Sequence, residues 1–243
     1  VTSSFTPSHA IEIGGVRRGK GGTSLARVVC ILSGGIDSSS TVAILKQRGY
    51  EIYALTYDYG QRAKREIMAA RTVAKWAGVK EHRIIDISFM KSLYGGSNVL
   101  TDTADPLPSQ FDPSLIVPFR NGVLLSIAAA YASAIGADVV AYGAHKTDLP
   151  YPDCTPEFLD LFEKAVNSGL GGYDTLTFWS PAKEGMAKPQ LIKRGHELGV
   201  PIFATWSCYG SGAKQCGKCE SCINRKKALE TAGIKDMTEY DQP

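Results

Sequence analysis

No apolar run in this chain of 243 residues approaches the roughly 18 or more that a membrane-spanning helix needs. The first residues also lack the apolar core of a secretion signal. Together these absences lead us to expect a cytoplasmic protein that makes no use of a membrane. Net charge is scarce: the formal value is +3, far from the concentrated basic character of a dedicated nucleic-acid binder, so no direct nucleic-acid contact is expected. Two familiar phosphate signatures are missing, since no Gly-Lys-Ser/Thr stands at the Walker spacing and no G-x-G-x-x-G opens a helix. No internal repeat is present.

What remains is enough for one full-sized domain. Hydrophobic residues make up 44% of the chain and charged residues 21%, which suits a single α/β core with a small appendage. Residues 1–26, rich in Gly, Ser, Thr and basic side chains, carry no sustained apolar period and read as a flexible extension. Residues 27–205 read as the α/β domain, and 206–243 as a C-terminal helical region holding a cysteine cluster.

Strands are expected at 27–32, 51–57, 83–87, 138–142 and 176–179, where β-branched and apolar residues concentrate. Helices are expected at 37–46, 65–77, 120–135, 155–167 and 188–198, several of them ended by Gly or opened by Pro. Residues 90–118, rich in Gly, Ser, Asp and Pro, form a connection long enough to be functional. The alternation gives a doubly wound parallel sheet of Rossmann-like type, whose ligands bind beyond the carboxyl ends of the strands.

The first strand runs directly into Leu32-Ser-Gly-Gly-Ile-Asp-Ser38. Glycines at a strand-to-helix junction let backbone N–H groups approach an anion at the positive end of a helix. The pattern Ser-Gly-Gly-x-Asp-Ser resembles the pyrophosphate loop of the N-type ATP pyrophosphatases, which cleave ATP between its α- and β-phosphates. That resemblance implies nucleotide contacts from Leu32, Ser33, Gly34, Gly35, Ile36, Asp37, Ser38, Ser39, Ser40, Thr41 and Val42, with Asp37 helping to place Mg²⁺.

Four of the six cysteines fall between residues 208 and 222. Cys208, Cys216, Cys219 and Cys222 have the spacing C-x7-C-x2-C-x2-C, and four thiolates so close converge on one structural Zn²⁺, with an iron–sulfur cluster as the competing reading. Cys30 reads as a small core residue and Cys154 as packing.

Further stretches narrow the match. Tyr57-Asp-Tyr-Gly-Gln-Arg62, Val117-Pro-Phe-Arg-Asn121, Tyr151-Pro-Asp-Cys-Thr-Pro-Glu-Phe158 and Trp206-Ser-Cys-Tyr209 occur in this order and together resemble the QueC family of 7-cyano-7-deazaguanine synthases. The resemblance implies an ATP-dependent ligase that makes a nitrile from 7-carboxy-7-deazaguanine and ammonia through an acyl-adenylate, serving queuosine and archaeosine synthesis. It also implies small-molecule substrates and a homodimer. Asp37 and Arg120 are then the catalytic candidates, with Lys64 as further positive charge. Gln61, Arg62, Asn121, Asp153 and Glu157 are candidates for substrate contact, while His145 reads as a loop residue. Ala63 and Thr155 stand where many members carry His and Arg, and residues 144–150 also differ from the usual segment. An acceptor other than the deazaguanine, a tRNA base or a protein carboxylate, therefore stays open as the alternative.

Overall fold

The computed structural model describes residues 25–94, 98–101, 106–148 and 150–241. The expected N-terminal extension lies, up to residue 24, outside the described residues. Residues 25 and 26 already belong to the fold, since Ala26 is buried and its carbonyl accepts from the Glu51 N–H at 3.0 Å.

Five parallel strands make one sheet: β1 (Arg27–Ile31), β2 (Glu51–Asp58), β3 (Glu81–Asp86), β4 (Val139–Ala141) and β5 (Thr177–Trp179), in the spatial order β3-β2-β1-β4-β5. β1 is hydrogen-bonded on both sides, Val28 facing Ile52 on one flank and Val139 on the other. Its Val28, Val29 and Cys30 are fully buried because the sheet is covered on both faces. The chain order reverses between β1 and β4, and a crevice must open at the carboxyl ends of those two strands.

Among the described residues, seven α-helices surround the sheet: α1 (Ile36–Gln47), α2 (Arg65–Ala77), α3 (Met90–Tyr94), α4 (Arg120–Ala134), α5 (Pro156–Gly169), α6 (Lys188–Glu197) and α7 (Glu220–Thr231). The expected strands and long helices are all present, with ends shifted by a few residues, and β3 begins two residues earlier than expected. Inside the connection 90–118, α3 and the 3-10 turn Pro113–Leu115 were not foreseen from the residue pattern. The turn starts because Asp112 accepts from the Ser114 N–H at 2.9 Å.

One face of the sheet packs on α4 and α5 through Val29, Leu55, Leu125, Ala128, Leu159 and Phe178; the other packs on α1, α2 and α6. The stretch Pro113–Ala134 is 22 residues and contains 18 consecutive ones with a mean hydropathy of 1.5, which corrects the expectation that no segment reaches membrane length. Most of it is α4, whose Leu124, Leu125, Ala128, Ala129 and Ala132 are buried in the domain core.

α7 is tied to the domain by Arg225, a fully buried side chain. Its guanidinium donates to Thr205 Oγ1 (2.7 Å), Ser207 Oγ (3.1 Å), the Ile202 carbonyl (2.7 Å) and Thr238 Oγ1 (2.9 Å). The N–H of Trp206 donates to the carbonyl of Gly34 at 2.9 Å. The cysteine-bearing segment is thereby fastened to the turn that follows β1.

Candidate active site

The turn after β1 owes its shape to Gly34. Its φ of +85° is one that a side chain resists, and a Cβ there would sit 2.2 Å from the Glu66 carbonyl oxygen and 2.6 Å from the Ala70 nitrogen. Only a bare backbone lets α2 press this close. Ser33 N–H and Ser33 Oγ both meet Ser38 Oγ, at 3.2 and 3.0 Å, which closes the turn on the first residues of α1. α1 begins at Ile36 with Gly35 in the cap position and no side chain capping it, so its first N–H groups remain available for an anion.

This turn opens into a cavity of about 1140 Å³ at the β1–β4 reversal, whose lining includes Ser33, Gly35, Asp37 and Ser38. The side chains of the other residues in the expected nucleotide segment do not line it. Leu32 and Val42 lie in the core, and Ile36 packs with Ile192 and Leu229. The hydroxyls of Ser39, Ser40 and Thr41 donate to the carbonyls of Gly35, Ile36 and Asp37 at 2.7, 2.8 and 2.9 Å. They brace the first turns of the helix.

Asp37 anchors a charged cluster that sequence reasoning missed. Lys188 Nζ, from the first residue of α6, donates to Asp37 Oδ2 at 2.8 Å. His145, read from sequence as a loop residue, is buried and stands between two carboxylates: Nε2 is 3.8 Å from Asp37 Oδ1, and Nδ1 is 3.3 Å from Asp148 Oδ2. Burial alone would raise the Asp37 carboxyl, but the charges of Lys188 and His145 outweigh it and hold the group below the usual carboxylate range. Burial likewise pulls Lys188 down, and the paired carboxylate more than offsets this, leaving the ammonium charged. Burial wins at Asp148, whose carboxyl is raised against the opposing pull of His145. Asp37 Oδ1 is buried and accepts no hydrogen bond from any described residue. A free carboxylate oxygen at a phosphate site fits a hard divalent cation such as the Mg²⁺ that accompanies ATP.

The opposite wall comes from the ends of β2 and α4. Phe119, just before α4, has φ 53° and is the one described non-glycine residue with positive φ. Its ring covers Gly122, where a Cβ would lie 2.3 Å from Cζ, and meets Phe158 edge-on at 6.0 Å. This corner delivers the next two residues, Arg120 and Asn121, to the cavity lining. Arg120 donates to Tyr59 Oη at 3.2 Å and lies over that ring, 5.4 Å from its centroid.

Of the expected substrate contacts, Asn121, Asp153 and Gln61 reach the cavity. Asp153 accepts from both the backbone N–H (2.9 Å) and the Nδ2 (3.0 Å) of Asn121, which fixes the start of α4. Gln61 braces its own turn, accepting from the Tyr59 N–H at 2.9 Å and donating to the Tyr57 carbonyl at 3.1 Å and to Glu66 Oε1 at 2.7 Å. Arg62 and Glu157 lie outside the lining. Arg62 supports the neighbouring segment by donating to the Val99 carbonyl at 3.3 Å, and Glu157 is exposed in the first turn of α5. Lys64 is exposed and paired with Asp58. Thr155 caps α5, its Oγ1 accepting from the Phe158 N–H at 3.1 Å, and Ala63 is a buried part of the wall.

Sequence reasoning also passed over Tyr59, Glu66, Tyr209 and Glu220, all of which line the cavity. Tyr209 and Glu220 follow Cys208 and Cys219 directly and are joined by a 3.0 Å hydrogen bond. Their neighbouring cysteines converge: the four sulfurs of Cys208, Cys216, Cys219 and Cys222 lie within 4.8 Å of one another. A zinc with four thiolates at about 2.3 Å holds sulfurs about 3.8 Å apart, and Cys216 and Cys222 stand at 3.9 Å. Backbone N–H groups of Gly210 and Cys216 donate to Cys208 Sγ, and that of Cys219 donates to Cys216 Sγ. Such donors favour thiolates, so the set fits a tetrahedral metal. Cys30 is buried in β1 with its thiol pushed up by burial, and Cys154 sits at the cavity with its thiol likewise raised, which disfavours the thiolate at both.

The sequence model described as queuosine biosynthesis protein QueC matches residues 27–233. The chain is 40% identical over 221 residues to the 7-cyano-7-deazaguanine synthase of Campylobacter hominis, covering 88% of this chain and 99% of that protein. It is 39% identical over 225 residues to the synthase of Desulfitobacterium hafniense strain DSM 10664, covering 89% and 94%. Among solved structures, a 4-thiouridine synthetase in complex with RNA and bound ATP matches with a TM-score of 0.51 and 16% identity, over 86% of this chain and 50% of that one, a likeness of fold alone. Because the family match begins at the first residue of β1 and runs past the end of α7, it takes in the anion turn, the cavity walls and the cysteine cluster as one inherited unit, and the chain belongs to the QueC family of queuosine biosynthesis proteins.

Proposed function

We propose that this chain converts 7-carboxy-7-deazaguanine, ammonia and ATP into 7-cyano-7-deazaguanine, as an ATP-dependent ligase forming carbon–nitrogen bonds. The observation that carries this reading is one cavity in which an anion-binding turn, a Lys–Asp pair and a fixed Arg face one another. A carboxylate is a poor electrophile because oxide is a poor leaving group, and activation as a mixed anhydride with AMP removes that obstacle.

Ser33, Ser38 and the free N–H groups at the start of α1 bind the β- and γ-phosphates, and Lys188 adds positive charge beside them. Mg²⁺, held by Asp37, supplies charge neutralisation on the phosphates. A substrate carboxylate oxygen attacks the α-phosphorus and pyrophosphate departs. Arg120, held on the Tyr59 ring, faces the negative charge that develops at the transferring group. Ammonia then displaces AMP to give the amide. A second adenylation, on the amide oxygen, allows loss of AMP and protons to leave the nitrile. The same site thus serves two rounds of activation.

The four cysteines hold one zinc that carries no chemistry, since four protein ligands leave no open position. Its place is structural, holding Tyr209 and Glu220 in the cavity wall. The substrates are small molecules, the setting is the cytoplasm, and a homodimer is the working assembly in line with the family resemblance.

Incubation with carboxydeazaguanine, ammonium and MgATP, followed by quantification of AMP and nitrile, tests the reading. AMP should form at twice the molar amount of nitrile. AMP release that ignores carboxydeazaguanine and responds only to a macromolecular acceptor would remove the assignment.

A further inference from the structure

Among the described residues, five carboxylates line the cavity, those of Asp37, Glu66, Asp148, Asp153 and Glu220. Asp37 is paired with Lys188, Asp148 accepts from the His145 N–H, Asp153 accepts twice from Asn121, and Glu220 accepts from Tyr209 and Asn224. Glu66 is held by one oxygen. Gln61 donates to its Oε1 at 2.7 Å, and among the described residues neither a hydrogen bond nor an ion pair reaches Oε2. Its backbone abuts the anion turn, since the Glu66 carbonyl is the atom a Cβ on Gly34 would strike. Glu66 lines the cavity beside Gln61, with one carboxylate oxygen held and the other without a partner among the described residues.

Resting on the proposed nitrile synthesis, we propose that Glu66 is the general base of the amination step, receiving the proton that ammonium must lose before its nitrogen can attack the acyl-adenylate. At neutral pH the amine is present almost wholly as ammonium, which has no lone pair to offer. Ammonium gives one proton to Glu66 Oε2. The freed lone pair adds to the acyl carbon, the C–N bond forms, and the C–O bond to the AMP phosphate breaks with its electron pair leaving on AMP. The second surplus proton on nitrogen passes to a phosphate oxygen of the departing AMP, and Glu66 returns its own to solvent.

The electrostatics agree with this geometry. Burial pushes the Glu66 carboxyl up to about 7, with the Gln61 hydrogen bond and the charge of Arg120 acting against burial. Asp58 raises it further and Lys64 lowers it, while Tyr59 stands beside Arg120. A base near neutrality is the one that captures and releases a proton most effectively at working pH.

Glu66→Gln keeps the shape and can still accept from Gln61. The test compares two amines, ammonia and hydroxylamine, the second being already neutral at pH 7. In the variant, ammonia-dependent nitrile formation should fall by about 100-fold or more, whereas hydroxamate formation from hydroxylamine should fall far less. Glu66→Asp, which keeps a carboxylate, should recover part of the ammonia rate. At fixed total ammonium the wild-type rate should rise to about pH 7 and level off, following deprotonation of Glu66; the Gln variant should keep rising with free ammonia. Equal losses with both amines, or an unchanged ammonia rate, would overturn the proposal. Carboxydeazaguanine-dependent exchange of pyrophosphate into ATP reads the preceding step. Its absence in the wild type removes the substrate assignment itself, while its loss in the Gln variant alone places Glu66 before amination and overturns its role as the base for ammonium.

Discussion

Gly34 and Gly35 are neighbours in one turn, yet substitution by alanine should harm them in opposite ways. At Gly34 a Cβ meets backbone atoms of α2 at 2.2 and 2.6 Å, and the φ of +85° lies in the left-handed region. The left-handed backbone costs about 1–2 kcal/mol for a residue with a Cβ. Forcing α2 away adds an overpacking cost of about 1–3 kcal/mol. The sum, about 2–5 kcal/mol, corresponds to a loss in Tm on the order of 10 °C for a chain of this size. Gly35 has φ −73° and ψ 162°, ordinary for any residue, and its Cβ would find nothing nearer than Ser33 Oγ at 3.4 Å. Gly35→Ala should therefore stay within about 1 kcal/mol of the wild type. Gly35 lines the cavity, however, and its new methyl group would occupy the approach of the phosphates. We expect ATP affinity to drop at least about tenfold, which is 1.4 kcal/mol. Differential scanning calorimetry on both variants, with ATP titrations by isothermal calorimetry, separates the two effects. A Gly34→Ala protein that melts with the wild type, or a Gly35→Ala protein that binds ATP normally, would refute the assignment of one glycine to packing and the other to phosphate.

Lys188→Met should weaken ATP binding and also change the acid response. Because the folded-state carboxyl of Asp37 is depressed, the stability its ion pair contributes is present in full above about pH 4 and is lost as the pH falls through the lower folded value. Urea melts across that range should show the gap between wild type and variant closing toward acid; a gap independent of pH would contradict the pairing. Elemental analysis should find a single zinc ion per chain, and its removal by a chelator should expose amides of α7 to hydrogen exchange. An iron signal with visible absorption would instead identify a cluster. Glu157→Ala should leave turnover within about twofold of the wild type, because this side chain is exposed and outside the cavity; a steady-state assay checks it.

The parts of the site that were legible in the sequence are those whose chemistry is written in consecutive residues. Ser33 to Ser38 form a turn because two glycines and a Ser pair adjoin a buried strand, and the cysteines declare themselves by spacing. Lys188 carried no such mark. It sits 151 residues from Asp37 and reaches it only because β4 and β5 place α6 beside α1, a tertiary fact with no local trace. His145 escaped for a related reason: a histidine in an irregular segment looks the same whether exposed or enclosed between two carboxylates. Asp153 and Gln61 line the cavity, but a sequence does not reveal that a side chain already has partners: Asp153 is engaged by Asn121 and Gln61 by the turn it belongs to. Glu157 was drawn in by its motif. The start of α5 turns it outward while the next residues, Phe158 and Leu159, face the core.

The left-handed corner at Phe119 bears on how readily the cavity can act. A backbone conformation that a phenylalanine adopts only under constraint, locked by its own ring over Gly122 and by Phe158, has few alternatives to visit. The guanidinium that follows it is accordingly aimed before any ligand enters. Little ordering of that wall is left for the moment of encounter, so tight association at this wall should show up as slow escape of the ligand more than as a costly rearrangement on arrival.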